Sequence, residues 1–212
     1  EVLEVLMRPV ALYDLGNTLA EIKHRAYMES VKPTILTAYD RGDPEANLEY
    51  ETVLAEGLKK GRVDMKILPR VRKKLGSDIT EGWHNAVFST YRPDAIEAVL
   101  EQLGIRKIMF AGKKHGIYST FDENPETPNI KAPEGFRRVN KLCEERVWSY
   151  ADDKCDEAQR AREGLPEALI YIVGGKTPAE SDIISIESIA DINFYRDHLS
   201  HAVRQRKNEE SS

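Results

Sequence analysis

The 212-residue sequence has only two cysteines, Cys143 and Cys155, and neither has partners at the spacing of a zinc site. At most one disulfide can form, and reduced thiols in a cytoplasmic protein are the expectation. An excess of basic charge is also missing: 31 Lys and Arg stand against 36 Asp and Glu, a net charge of −5. That argues against a dedicated nucleic-acid binder, though not against one local site for a small anion. No stretch approaches the roughly 18 apolar residues of a spanning helix, so no membrane partner is expected. The opening Glu1–Leu6 is short and acidic, unlike a secretory signal. Residues 1–6 read as an extension or expression remnant and are left outside the fold. Internal repeats and low-complexity linkers are lacking too. What is present suits one globular domain with a modest insertion: 41% hydrophobic and 32% charged residues.

Short apolar runs alternate with helical patterns. Val10–Tyr13 is a strand ending at Asp14, followed by a turn at Gly16-Asn17. Residues 21–62 contain no comparable strand and read as helices over about 21–40 and 44–60. Asp43 supplies the second with an N-cap and Pro44 occupies its first position. A short helix is expected over Ile67–Leu75, closed by Gly76. A strand over Asn85–Phe88 leads into Ser89-Thr90 and a helix opened by Pro93. Lys107–Ala111 reads as the third strand, before a polar loop over 112–129. Pro133 opens a helix to about Glu145, and Val147–Ala151 is the fourth strand, ending in Asp152-Asp153. A helix over 156–163, a fifth strand over Ala168–Val173, a short sixth over 182–186 and a helical tail from Ile192 complete the chain.

Strands separated by helices predict an α/β fold, a Rossmann-like parallel sheet with helices on both faces. Ligands of such sheets bind at the carboxyl ends of the strands. The residues to read are therefore Asp14 with Gly16, Asn17 and Thr18, then Ser89 and Thr90, then Asp152, Asp153 and Asp156. Lys131, just before a helix, joins them. Each also has a structural role open to it, as a helix cap, a turn residue or a solvated charge.

In their order along the chain these motifs resemble the haloacid-dehalogenase-like hydrolases, over about residues 9–190. The first motif is Ala11-Leu12-Tyr13-Asp14-Leu15-Gly16-Asn17-Thr18-Leu19, the second Ala86-Val87-Phe88-Ser89, the third Lys131-Ala132-Pro133. The fourth is Tyr150-Ala151-Asp152-Asp153-Lys154-Cys155-Asp156, with Ala158, Ala161 and Gly164 behind it. The resemblance implies a Mg²⁺-dependent phosphatase acting on a small phosphorylated metabolite. Asp14 would be the nucleophile, forming an aspartyl-phosphate. Thr18 and Ser89 would hold phosphoryl oxygens, and Lys131 would balance charge. The metal would take a carboxylate oxygen of Asp14, the Gly16 carbonyl and Asp153, with Asp152 as the alternative. Asp156 would hold metal-bound water or Lys131.

The implied organisation is a core of residues 7–19 and 67–205, a helical cap over 20–66 and a tail from 206 to 212. Lys23, His24, Arg25, Tyr27 and Arg41 are the cap residues that are candidates to reach a ligand, each with a solvated helix face as the plainer reading. One departure stands out. Many phosphatases of this family carry a second Asp two residues after the nucleophile as acid and base; here that position is Gly16. Two other readings follow: a degenerate member that binds a ligand or partner with little turnover, or a metal-independent dehalogenase-like hydrolase. Substrate identity and oligomeric state are not legible in the sequence.

Overall fold

The computed structural model describes residues 8–125, 128–144, 146–175 and 182–200. In chain order these form β1 (Val10–Tyr13), β2 (Ala20–Ile22), α1 (His24–Val31), α2 (Pro33–Asp40), α3 (Pro44–Lys59), β3 (Met65–Ile67) and α4 (Val71–Thr80). There follow β4 (His84–Ser89), α5 (Pro93–Gln102), β5 (Ile117–Ser119), α6 (Thr120–Glu123), α7 (Pro133–Leu142), β6 (Val147–Asp152), α8 (Cys155–Gly164), β7 (Leu169–Val173) and β8 (Ile184–Ile186). A helix also spans residues 194–200, two residues later than the sequence suggests. The expected tail over 206–212 and residues 1–6 lie outside the described residues. None of the described helices is long and apolar enough to cross a membrane.

Six strands form one parallel sheet in the order β5-β4-β1-β6-β7-β8. Both faces are buried, so each strand divides its side chains between two cores. Ala11 and Tyr13 face one with Val87, Ala151, Leu169 and Tyr171; Val10 and Leu12 face the other with Phe88, Tyr150 and Ile170. This two-residue alternation is what a sheet between helical layers requires. On the second face α7 and α8 pack closely. A Cβ on Gly164 would lie 2.6 Å from the Phe136 Cβ and 2.7 Å from the Pro133 carbonyl oxygen, so only glycine fits.

The chain runs from β1 out through β4 to β5, then returns to place β6 on the other side of β1. The strand order therefore reverses at β1, and the crevice at its carboxyl end is the topological switch point of the sheet. Asp14 stands there, its backbone N–H donating to the Ala151 carbonyl at 2.8 Å.

Several expected elements differ. The segment over 21–62 is three helices, because Pro33 begins a new one after α1. Asp43 does cap α3, accepting from the Glu45 and Ala46 N–H groups at 3.0 and 3.4 Å. β2 and β3 form a small antiparallel pair that the sequence reading lacks, joining the two ends of the helical segment. The helix expected over Ile67–Leu75 is α4, shifted to Val71–Thr80 with Gly76 inside it. Lys107–Ala111 is not the third strand. Arg106–Ile108 is a 3₁₀ turn, and only Met109 bridges β4, at Asn85. The Arg106 guanidinium ties the Met109 and His115 carbonyls together at 2.6 and 3.1 Å. Gly112 and Gly116, at φ of +72° and +81°, turn the chain so that Ile117–Ser119 takes the edge position instead.

Candidate active site at the carboxyl end of β1

Three strands and two helix starts converge on Asp14. β1 ends at it, β4 ends at Ser89 and β6 ends at Asp152. The register aligns them: Tyr13 pairs with Val87 and with Ala151, so the residues just beyond lie level. Lys131 enters from the start of α7, one residue before Ala132, the N-cap. It is 1% exposed, buried as completely as any core residue.

The Lys131 ammonium bonds to Asp14 Oδ1, to Asp152 Oδ2 at 2.8 Å and to the Tyr150 hydroxyl at 2.9 Å, and lies 2.7 Å from Glu157 Oε2. Tyr150 in turn donates to Asp152 Oδ2, and the Lys154 N–H donates to Asp152 Oδ1 at 2.9 Å. A buried ion cluster of this kind persists only when its charges are paired and its lone pairs satisfied. Asp152 meets that condition. Burial pushes its carboxyl up, but Lys131, Tyr150 and the Lys154 N–H outweigh it and hold the group at about 2. Asp14 does not. Burial raises it, Lys131 lowers it, and the charges of Asp152 and Glu157 raise it again, to about 7. For Lys131, burial would lower the ammonium, but Asp14, Asp152, Tyr150 and Glu157 raise it well above the ordinary lysine value.

Asp14, Gly16, Thr18, Ser89, Lys131, Asp152 and Asp153 come together here; Asp156 does not. It is exposed on α8 and pairs with Arg160 at 2.7 Å, an ordinary i,i+4 surface pair. The acidic residue that meets Lys131 from α8 is Glu157, 4% exposed. The correction follows from helix phase. Glu157 shares the buried face of Ala158 and Ala161, whereas Asp156 lies on the face of Arg160. Tyr150, part of the fourth motif but given no role there, also meets Lys131. Two residues before Asp152 on one strand, it shares that residue's face. Trp148, near the start of β6, is 48% exposed, its ring against Trp83 and His198.

Asp153 points to a different quarter of the site. It is half-buried, and its Oδ2 accepts from the Asn17 amide at 3.2 Å. Burial and the neighbouring Asp152 charge push its carboxyl up. Asn17, Thr18 and Asp153 line a cleft of about 510 Å³. Thr18 is 1% exposed, and its hydroxyl oxygen has no hydrogen-bond partner. Ser89 Oγ accepts from the Tyr91 N–H at 3.4 Å, which braces the turn after β4; the N-cap of α5 is Arg92, and its side chain makes no capping bond. At Gly16 a Cβ would meet only Asp14 Oδ2, at 4.0 Å, and its φ is not positive. The turn would therefore accept a side chain.

The Lys131 ammonium faces three carboxylates with oxygens within 4.8 Å of one another, and Glu157 also pairs with Lys154 at 3.1 Å. With Asp153 nearby, the site is rich in hard oxygen donors and short of positive charge. That donor set fits a cation such as Mg²⁺. Lys131 already fills the space between Asp14, Asp152 and Glu157 and uses Asp14 Oδ1. The donors left for a cation are Asp14 Oδ2, the Gly16 carbonyl and Asp153.

The helices α1, α2 and α3 pack on one another, and α3 packs against α5, the helix that follows β4. His24 Nδ1 and the Tyr50 hydroxyl are 2.6 Å apart, and Tyr39 stacks on Tyr50 with ring centroids 4.1 Å apart. His24 also meets Tyr91, two residues beyond Ser89, edge to face at 6.4 Å. The other residues singled out in this segment are turned to other work. Lys23 pairs with Asp64 and Arg25 with Asp40, both on the surface. Arg41 is exposed. Tyr27 is half-buried against α3, where a Cβ on Gly57 would collide with its ring at 2.4 Å.

No family profile and no curated protein matches the sequence. Solved structures do. The chain is similar to CbbY from Rhodobacter sphaeroides in complex with phosphate, at 16% identity over 87% of this chain and 96% of that one, with a TM-score of 0.60. It is similar to L-2-haloacid dehalogenase from Xanthobacter autotrophicus with chloropropionic acid covalently bound, at 11% identity over 92% and 99%, TM-score 0.58. A haloacid dehalogenase-like family protein from Streptococcus pneumoniae aligns at 12% identity over 90% and 99%, TM-score 0.58. The chain has the fold of the haloacid-dehalogenase-like hydrolases.

Proposed function

We propose that the protein is a Mg²⁺-dependent phosphatase acting on a small phosphorylated metabolite, with residues 20–66 as a helical cap over a core of residues 7–19 and 67–205. The observation that carries this reading is the buried Lys131, bonded to the strand-end carboxylates of Asp14 and Asp152 at the switch point of the sheet. The phosphate held by CbbY and the bisphosphate sugar, xylulose-(1,5)bisphosphate, held by its variant suit the same ligand class. In the proposed reaction an Asp14 oxygen attacks phosphorus, the bond to the leaving oxygen breaks, and water later hydrolyses the aspartyl-phosphate. Lys131 holds Asp14 in place and offsets its charge. The Thr18 and Ser89 hydroxyls donate to the phosphoryl oxygens. Asp14, the Gly16 carbonyl and Asp153 would hold the metal, which neutralises phosphoryl charge when bound.

The test is a panel of phosphorylated metabolites with 4-nitrophenyl phosphate, with and without Mg²⁺. Metal-stimulated release of phosphate is expected. Turnover of 2-haloacids without metal would favour the dehalogenase reading, and no turnover of either class would favour a binding protein.

Two further results are expected under this reading. Asp153→Ala should lose Mg²⁺ stimulation more severely than a change at Asp156, read as the activity ratio with metal and with chelator. On α8, Glu157→Gln should lower kcat by about 10–100-fold, the usual cost of losing a partner that orients a reacting group. Asp156→Ala should leave both kcat and unfolding free energy within about 0.5 kcal/mol of the unmodified protein. Equal losses at the two positions would contradict the helix phase described above.

A further inference from the structure

Asn17 stands between two of the proposed metal ligands, next to Gly16 in sequence and against Asp153 in space. Its φ is +54°, in the left-handed region that asparagine enters more easily than most residues and glycine more easily still. The turn around it is tied by its own backbone. The Asn17 N–H donates to the Ala20 carbonyl at 2.8 Å, and the Leu19 and Ala20 N–H groups donate to the Leu15 carbonyl at 3.2 and 3.0 Å. The Gly16 carbonyl belongs to the same turn, so its place and that of the Asn17 side chain are set together.

From this turn the Asn17 amide crosses to the end of β6 and donates to Asp153 Oδ2 at 3.2 Å. Both residues line the same cleft. The bond is exposed, so its net contribution to the fold is small. Its consequence lies in what it leaves free. Among the described residues Asn17 is the only donor to Asp153, and the bond takes one carboxylate oxygen and leaves Oδ1. Asp14 is arranged alike, with Lys131 on Oδ1 and Oδ2 left over. Each of the two carboxylates therefore offers a cation a single oxygen, and the Gly16 carbonyl offers a third.

Hard cations differ in how they use such a set. Ca²⁺ takes roughly 6–8 oxygen ligands in loose geometry and commonly both oxygens of a carboxylate. Mg²⁺ is smaller, needs a near-octahedral shell, and is held by one or two carboxylates while it keeps several waters. Two carboxylates restricted to one oxygen each suit the second ion and starve the first. We infer that Asn17 is a positioning residue that holds Asp153 as a one-oxygen ligand and so makes the site select Mg²⁺ over Ca²⁺; the inference rests on the metal site proposed above. Without the amide, Asp153 is free to turn and present both oxygens. A larger cation then gains a ligand atom, and a smaller one loses the orientation of the one it uses.

The experiment follows Mn²⁺ bound to the whole chain by electron paramagnetic resonance, with Mg²⁺ and Ca²⁺ each titrated in to displace it. The ratio of the two displacement midpoints is the selectivity. Asn17→Gly keeps the left-handed turn and removes the amide. It should weaken Mg²⁺ by about 10–100-fold, the usual cost of losing a partner that orients a metal ligand, while Ca²⁺ binds at least as well as before. Asn17→Asp keeps the shape and removes only the donor, and it should move the ratio the same way. Ca²⁺ should also inhibit the Mg²⁺-supported hydrolysis of 4-nitrophenyl phosphate at lower concentration in both variants than in the unmodified protein. A bond that serves only the fold would lower the melting temperature in chelator and leave the ratio unchanged. An unchanged ratio in Asn17→Gly overturns the role of Asn17 and leaves the metal site standing. Should Asn17→Gly fail to fold, Asn17→Asp decides alone by the same ratio. No bound Mn²⁺ in the unmodified protein overturns the metal site and the inference together.

Discussion

Asp14→Asn is expected to lower phosphatase turnover by on the order of 10⁴–10⁶-fold, the range that loss of a nucleophile costs. It should do so while leaving the fold in place. Asp14 stands just past the end of β1, and the hydrophobic contacts of that strand are made by Val10, Ala11, Leu12 and Tyr13. The same substitution has a signature in stability that separates a lost nucleophile from a damaged protein. Burial and the charges of Asp152 and Glu157 raise the Asp14 carboxyl to about 7 against the pull of Lys131. A carboxyl whose folded value is raised contributes stability that is fully present below its unfolded value and lost as pH rises through the folded value. Asparagine carries no such penalty. In chelator, Asp14→Asn should therefore unfold at a higher temperature than the unmodified protein at pH 8, and the gain should vanish near pH 4. Retained turnover in a pure sample would remove Asp14 from the mechanism, and a lower melting temperature at pH 8 would contradict its environment.

The motifs legible in the sequence are those written in strand grammar. The run Val10–Tyr13 followed by Asp14 declares both a strand and its end, and the doublet Asp152-Asp153 does the same after β6. Because the strands are parallel, those ends collect on one side of the sheet, and most of the candidate site follows. What was not legible depends on phase and on partners far along the chain. The choice between Asp156 and Glu157 is a 100° rotation about one helix, visible only once Ala158 and Ala161 are taken as its buried face. β5 is three residues long in a segment punctuated by glycines, and its place at the sheet edge is fixed by Val87 donating to the Gly116 carbonyl at 2.8 Å. β2 and β3 are likewise three residues each and exist because they pair with one another.

Lys131→Met is the substitution expected to damage stability most. Lys131 is 1% exposed and pairs with all three of Asp14, Asp152 and Glu157, whereas Lys154 reaches only Glu157, at 3.1 Å. Methionine matches the length of its stem but leaves the buried Asp14 and Asp152 without their ammonium partner, Glu157 alone keeping Lys154. Breaking a buried ion pair from one side typically costs about 3–5 kcal/mol. The loss should be read from urea unfolding at pH 7 in chelator. Its pH dependence identifies the cause. In the unmodified protein Asp152 is held at about 2, so it contributes stability that is present above the unfolded carboxylate value and lost as pH falls through about 2. Without Lys131 that contribution disappears, and protonation of the cluster becomes favourable instead. The gap between Lys131→Met and the unmodified protein should therefore narrow steadily from pH 7 to pH 4. Mg²⁺ should narrow it as well, because a cation held by Asp14 and Asp153 would supply positive charge to the same cluster. A constant gap across this range would mean that the loss comes from packing around the Lys131 stem. The electrostatic account of the site would then be wrong.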